Sequence, residues 1–205
     1  MGVQTEAAKI ETEIKVWVRD RAAFEQALAA AGLRIKTPET LERNVLYDTA
    51  DRRLRSQKQL LRVREYGSRC VLTHKAPPAE EADGTYKRRI ETEIAISSCE
   101  GMGIILERLD LKPVFIYEKR RTEWADGTGE VVVDATPIGV LAELEGPPEW
   151  IDATAARLGI PREEYMTDSY GTLFLRWREE TGSSAENMTF AEVGLPAATG
   201  PDGTA

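Results

Sequence analysis

Several stretches of the chain alternate apolar and charged residues with a period of two, the spacing of a β-strand whose faces meet different surroundings. In residues 9–19, Ile10, Ile14 and Val16 oppose Glu11, Glu13 and Lys15. Further same-parity sets are Arg62/Arg64, Thr73/Lys75, Lys87/Arg89/Glu91/Glu93, Lys119/Arg121/Glu123 and Glu143/Glu145, with Asp134 near the end of another stretch. Side chains at i and i+2 project from one face of a strand. The opposite faces are largely apolar, as in Leu61/Val63 and Ile90/Ile94/Ile96. If helices cover the apolar side, the charged side must be solvent-facing or the inside of a barrel.

Strands are expected over residues 9–19, 33–49, 59–66, 69–75, 86–96, 113–124, 130–136 and 140–146, with turns at Gly67-Ser68 and Asp126–Gly129. Helices are expected over 21–31 behind an Asp20 cap, over 98–110, over 149–159 behind Pro147-Pro148, and over 168–180. Pro77, Pro78 and the acidic stretch Ala79–Gly84 read as a loop. About eight strands with inserted helices predict an α+β fold: an antiparallel eight-stranded β-barrel, or tunnel, with helices packed outside. Residues 1–180 read as one domain. Residues 181–205 are rich in Gly, Ser, Thr, Ala and Pro and lack Lys and Arg, so a disordered tail is expected there.

The 205 residues suit one domain with a real core, and charged residues reach 30%. A net charge of −8 argues against generic nucleic-acid binding, although a local cluster of Lys and Arg can sit inside an acidic protein. No apolar run approaches a bilayer span and no signal-peptide core opens the chain, so the cytoplasm is the expected compartment and no membrane partner is expected. Cys70 and Cys99 lie far apart without a CxxC or Cys/His cluster, which predicts two reduced thiols and no zinc site. His74, the only histidine, has the parity opposite to Lys75 and is expected to face outward.

Acids recur as E-x-E pairs at Glu11/Glu13, Glu91/Glu93 and Glu143/Glu145. Two carboxylates two residues apart on a strand stand roughly 7 Å apart and repel unless a cation lies beside them. Such oxygen-rich walls suit Mg²⁺ or Mn²⁺, which keep waters and also take phosphate oxygens. Bases recur as pairs at Arg62/Arg64, Lys87/Arg89 and Lys119/Arg121; with Lys15 and Lys75 they would balance a polyanion and its metals. Burying so many charges without a ligand would be prohibitive, which predicts a wet, open-ended bore.

The ordered motifs resemble the CYTH superfamily, the triphosphate tunnel metalloenzymes, which include class IV adenylyl cyclases, thiamine triphosphatases and inorganic triphosphatases. Glu11–Lys15 matches E-x-E-x-K, Leu61–Arg64 resembles L-R-x-R, Leu72–Lys75 resembles L-T-x-K, and Arg89–Glu93 resembles R-x-E-x-E. Lys119–Arg121 resembles K-x-R, Asp134–Glu145 resembles D-x-x-x-x-G-x-x-x-E-x-E with Gly139 in place, and Ser169-Tyr170 matches an S-Y pair. The resemblance implies metal ligation by Glu11, Glu13, Asp134, Glu143 and Glu145. It implies phosphate contacts from Lys15, Arg62, Arg64, Lys75, Lys87, Arg89, Lys119 and Arg121, with Arg43 at a position near the tunnel or at the barrel rim. Catalytic roles fall on Lys15, Lys75, Glu91 and Glu93.

What the resemblance implies about function is metal-dependent hydrolysis of a triphosphate-containing small molecule, as inorganic triphosphate, thiamine triphosphate or a nucleoside triphosphate, by a monomer or homodimer. A class IV adenylyl cyclase making cyclic AMP is the nearest alternative, although no His-Phe pair precedes Glu11 as cyclase members tend to show. A polyphosphate- or nucleotide-binding module without turnover is the alternative outside enzymes.

Overall fold

The computed structural model describes residues 9–79 and 84–194. Eight antiparallel strands close into a barrel: β1 (Lys9–Trp17), β2 (Arg34–Asp48), β3 (Leu60–Tyr66), β4 (Arg69–Ala76), β5 (Lys87–Ile96), β6 (Lys112–Ala125), β7 (Glu130–Thr136) and β8 (Gly139–Glu145). Around the ring the order is β1-β5-β4-β3-β2-β6-β7-β8, with β8 returning to β1. The helices are α1 (Arg21–Ala30), α2 (Arg53–Ser56), α3 (Cys99–Arg108), α4 (Pro148–Arg157), α5 (Tyr170–Thr181) and α6 (Phe190–Val193). The predicted strands and four long helices all form; α2, α6 and a 3₁₀ turn at Arg162–Glu164 carry too few residues to show a period.

Local chemistry explains the boundaries. Asp20, Ser98 and Ser169 cap α1, α3 and α5, each side chain accepting from a backbone N–H inside the first turn. Gly67, at φ 57°, opens the two-residue β3–β4 turn, where a positive φ matches the twist of the paired strands. In the β6–β7 turn, Asp126 accepts from the N–H groups of Thr128 and Gly129.

The apolar parity points outward, under the helices. Ile14, Val16, Val131, Val133, Ala142 and Leu144 are buried against Leu28 of α1 and Trp150, Ile151 and Ala155 of α4. A smaller cluster places Tyr47 and Val63 under Leu106 of α3. Ile10 departs from the pattern at 50% exposure, because its strand end reaches the barrel mouth. Among the described residues no helix is long and apolar enough to cross a membrane.

Two expectations change. Cys70 and Cys99 are joined by a disulfide with Cα atoms 5.5 Å apart, because α3 packs against β3 and β6 and lays Cys99 beside Cys70 of β4, bringing two sequence-distant thiols together. Residues 182–194 are packed where a tail was expected: Met188 is fully buried, its carbonyl accepts from Glu118 N–H, and its N–H donates to the Ile116 carbonyl. Glu118 also accepts from the Phe190 N–H at the start of α6. One buried anchor on the edge of β6 outweighs the polar composition around it. Residues 195–205 and the acidic loop residues 80–83 lie outside the described residues.

Met188→Ala should therefore cost about 2–5 kcal/mol of stability, the range for emptying a fully buried methionine site. Equilibrium urea unfolding checks it; an unchanged midpoint would mean that 182–194 contributes nothing to the barrel.

Candidate functional site

The inward parity lines a cavity of about 850 Å³ along the barrel axis. Among the described residues, its wall carries nine Lys or Arg side chains and eight Glu side chains. The distribution around the ring is uneven. The carboxylate pairs come from three adjacent strands, β8 (Glu143, Glu145), β1 (Glu11, Glu13) and β5 (Glu91, Glu93). Strands four places apart in an eight-strand ring face one another, so this acidic arc faces β3, β2 and β6. Those strands contribute Arg62, Arg64, Lys119 and Arg121 to the bore.

Each charge that lines the bore has a polar partner, which answers how so many can be buried. Lys15, 2% exposed, lies 2.7 Å from both Glu13 and Glu143. Burial alone would lower Lys15, yet those two carboxylates raise it well above the ordinary lysine value. Burial would raise Glu13 and Glu143, and the facing cations reverse that, holding both below the usual carboxylate range. Lys75 bridges Glu11 at 2.5 Å and Glu91 at 3.2 Å, while Lys87 donates to Glu13 at 2.7 Å. Glu93 is held by Arg62, Arg64 and the hydroxyl of fully buried Thr73.

Two carboxylates are left short of positive charge. Burial, and then the neighbouring Glu11, pushes Glu91 and Glu145 up to about 7 each. Acids crowded in this way favour any added cation. Among the described residues no three His, Cys, Asp or Glu side chains already converge as a metal cage. A cage is not required for Mg²⁺ or Mn²⁺, which keep waters and commonly take one or two carboxylates plus phosphate oxygens. The all-oxygen donor set of Glu11, Glu13, Glu143 and Glu145 fits such an ion.

One end of the bore is aromatic. Phe115 and Tyr117 stack with ring centroids 5.8 Å apart, and Tyr117 stacks on Tyr170, the first residue of α5, at 5.6 Å. The Tyr170 ring lies 4.6 Å from Lys119 Nζ and 5.4 Å from Lys15 Nζ, and its hydroxyl donates to Asp134. The expected open-ended bore is thus walled by aromatic rings where α5 packs across it. The opposite mouth, around the β6–β7 turn and Pro147-Pro148, carries Lys9, Lys36 and Glu130.

Of the residues singled out from sequence, most converge here and three do not. Asp134 is fully buried and does not line the bore; Arg121, Lys119 and Tyr170 all donate to it, so it braces two bases from behind. Arg43 points to the outer face of β2, where it lies 3.9 Å from Glu118 and borders a separate groove beside α3. Its neighbours Glu42 and Asn44 hold the inward parity instead. Arg89 shares the inward parity of β5 and pairs with Glu11 in the ladder, but it does not line the bore. His74 is absent from the bore, as its parity predicts, and contacts Gln59.

Sequence reasoning overlooked Glu42 and Asn44, both fully buried, and Tyr117, whose hydroxyl accepts from Arg62 at 3.3 Å. Glu42 and Asn44 form an i, i+2 polar pair like the others, and that parity was the available signal. It is weak because the ladder of β2 with β6 shifts register three times.

Comparison with known proteins places this architecture. A candidate adenylate cyclase of Methanocaldococcus jannaschii is 28% identical over 137 residues, covering 66% of this chain and 76% of that protein. A candidate adenylate cyclase structure from Vibrio parahaemolyticus superposes with a TM-score of 0.72 at 19% identity, covering 82% of this chain and 99% of the other. A Hippeastrum protein, described as a candidate adenylyl cyclase with a dominant triphosphatase activity, superposes at 0.54 with 23% identity, covering 83% and 96%. The CYTH domain matches residues 9–147, from the first charged strand to the end of the last, and the chain belongs to the CYTH family.

Proposed function

We propose that the chain hydrolyses a small molecule bearing a triphosphate, with Mg²⁺ or Mn²⁺ as its cofactor. The observation that carries this reading is the acidic arc facing a basic arc across one bore. With nine bases and eight acids the wall is close to neutral on its own. A triphosphate entering alone would leave a large uncompensated negative charge, whereas a triphosphate entering with divalent cations is itself close to neutral. The bore suits the second cargo.

Arg62, Arg64, Lys119 and Arg121 would hold phosphate oxygens, the arginines offering planar forks and Lys119 a point charge. Lys15, held between two carboxylates inside the acidic arc, and Lys75, held between two more at the edge of that arc, would add point charges for phosphate oxygens. Glu11, Glu13, Glu143 and Glu145 would hold the metal, which when bound neutralises phosphate charge and lowers the pKa of a coordinated water. Glu91 is poised near neutrality to accept a proton from attacking water, and Glu93 keeps Arg62 and Arg64 aimed. Most of the acceleration would come from fixed charge and alignment.

Adenylyl cyclisation is the second reading, favoured by the relative from M. jannaschii. The same groups would serve it, with the substrate's ribose hydroxyl replacing water as nucleophile. A panel of inorganic tripolyphosphate, thiamine triphosphate and ATP, run with Mg²⁺ and then Mn²⁺, separates the two. Orthophosphate release supports hydrolysis; cyclic AMP with pyrophosphate overturns it in favour of the cyclase; tight binding with neither product leaves a binding module.

Two outcomes should follow for variants and pH. Arg64→Ala should lower kcat/KM on the order of 100-fold, the usual scale for losing one fixed charge at a developing anion. Arg43→Ala, on the outer face, should leave turnover within about twofold, the scale of an ordinary surface change.

Glu91 and Glu145 have folded-state values raised above the ordinary carboxylate range. Their stabilising share is therefore complete below that ordinary range and is lost as pH rises through about 7. Glu13 and Glu143 are lowered, so their share disappears only on strong acidification. The thermal midpoint of metal-free protein should fall by several degrees between about pH 5.5 and 7.5, and added Mg²⁺ or Mn²⁺ should restore it. A midpoint rising over that window would contradict the crowding of these acids.

A further inference from the structure

Behind the basic arc lies a carboxylate with no part in the scheme above. Glu42 sits on the inward face of β2, fully buried, without lining the bore. Because β2 runs between β3 and β6, Glu42 stands between the Arg62/Arg64 pair and the Lys119/Arg121 pair. Its carboxylate lies 3.3 Å from Lys119 Nζ and 3.8 Å from Arg121 Nε, and Asn44 donates to it at 2.9 Å. Burial alone would favour its protonated form. The charges of Lys119, Arg121, Arg64 and Arg62 reverse this and hold it well below the ordinary carboxylate range.

This group is poorly accounted for as a stabilising contact. Among the described residues, Glu42 Oε2 and Asn44 Oδ1 have no hydrogen-bond partner, and neither do the Nε atoms of Arg62 and Arg64 beside them. A buried ion short of hydrogen bonds is a weak source of stability compared with an apolar residue of the same size. Lys119 and Arg121 already have a fully buried counter-ion in Asp134, at 3.1 and 2.7 Å. Glu42 adds one more negative charge to four bases that face the acidic arc. Such a charge weakens the attraction of that wall for any anion.

We infer that Glu42 is a positioning residue that sets the charge of the basic wall, keeping it weak enough for a polyphosphate product to leave. The inference rests on the reading of the bore as a phosphate site. Polyanion affinity should then respond in opposite directions to two changes of nearly equal shape. Glu42→Gln removes the charge and should tighten binding; Asn44→Asp adds one beside Arg64 and should weaken it.

Calorimetric titration with imidotriphosphate, a tripolyphosphate analogue whose P–N–P bridges resist hydrolysis, in the presence of Mg²⁺, reads this without turnover. Wild-type protein should bind, Glu42→Gln should bind roughly tenfold more tightly, and Asn44→Asp roughly tenfold more weakly, the scale of one charge a few ångströms away in a partly screened site. In turnover Glu42→Gln should lower KM and kcat together, because product leaves more slowly. No binding by the wild type overturns the phosphate reading itself, whatever the variants do. Wild-type binding that weakens in both variants, or moves in neither, leaves that reading standing and overturns the role of Glu42. Should Glu42→Gln not fold, Asn44→Asp decides: weaker binding upholds the charge-setting wall, and unchanged binding overturns it.

Discussion

Lys15, gripped between Glu13 and Glu143 at 2.7 Å on each side, is the interaction on which the rest of the architecture turns. It lies where the first strand meets the last, at the seam that converts an open sheet into a barrel. An open sheet could leave its charged face in water at little cost. A closed one encloses that face, and each enclosed charge then needs an opposite charge within reach. Removing one member of such a pair is far more damaging than replacing the pair, since the survivor is left buried and uncompensated. The seam, the charge matching and the bore are therefore one constraint. The helices cover the apolar outside of the barrel and leave the inside to its charges.

Much of this was legible because a period of two is a local property. Glu11 and Glu13, or Arg62 and Arg64, declare a shared face without reference to anything distant, and the structure turns those faces into one bore. Parity does not reveal depth. Asp134 and Glu42 share the inward parity yet stop behind the bases that reach the cavity, because bulky Lys and Arg side chains on β6 extend past them. Parity also fails where pairing slips. On β2 the register shifts between Ile35 and Thr37, between Thr37 and Thr40, and again at Leu46/Tyr47, so Arg43 could not be placed by counting.

The remaining departures arise from contacts between distant segments. The Cys70–Cys99 bridge depends on where α3 lands, which neither cysteine's neighbourhood encodes. Met188 lies in a stretch whose composition resembles a linker, and its buried side chain, its two backbone hydrogen bonds to β6 and the bonds of Asn187 and Phe190 to the same strand hold it there. Composition averages over a window and misses so local an anchor.

The same constraint explains why a preformed metal cage is absent among the described residues of a site whose acids suit a divalent ion. Carboxylates gathered tightly enough to enclose an ion would repel one another whenever the bore held none. Here Lys75 and Lys87 lie against Glu11 and Glu13, so the charges are matched without an ion, while Glu91 and Glu145 relieve their crowding by holding protons near neutrality. On the function proposed above, a cation arriving with a polyphosphate would reverse both arrangements at once. Protons would leave the crowded acids, and Lys75 and Lys87, released from their carboxylates, would turn to the new anion. Cation and anion would each remove the obstacle to the other's entry, so such a wall would favour their joint binding over that of either alone.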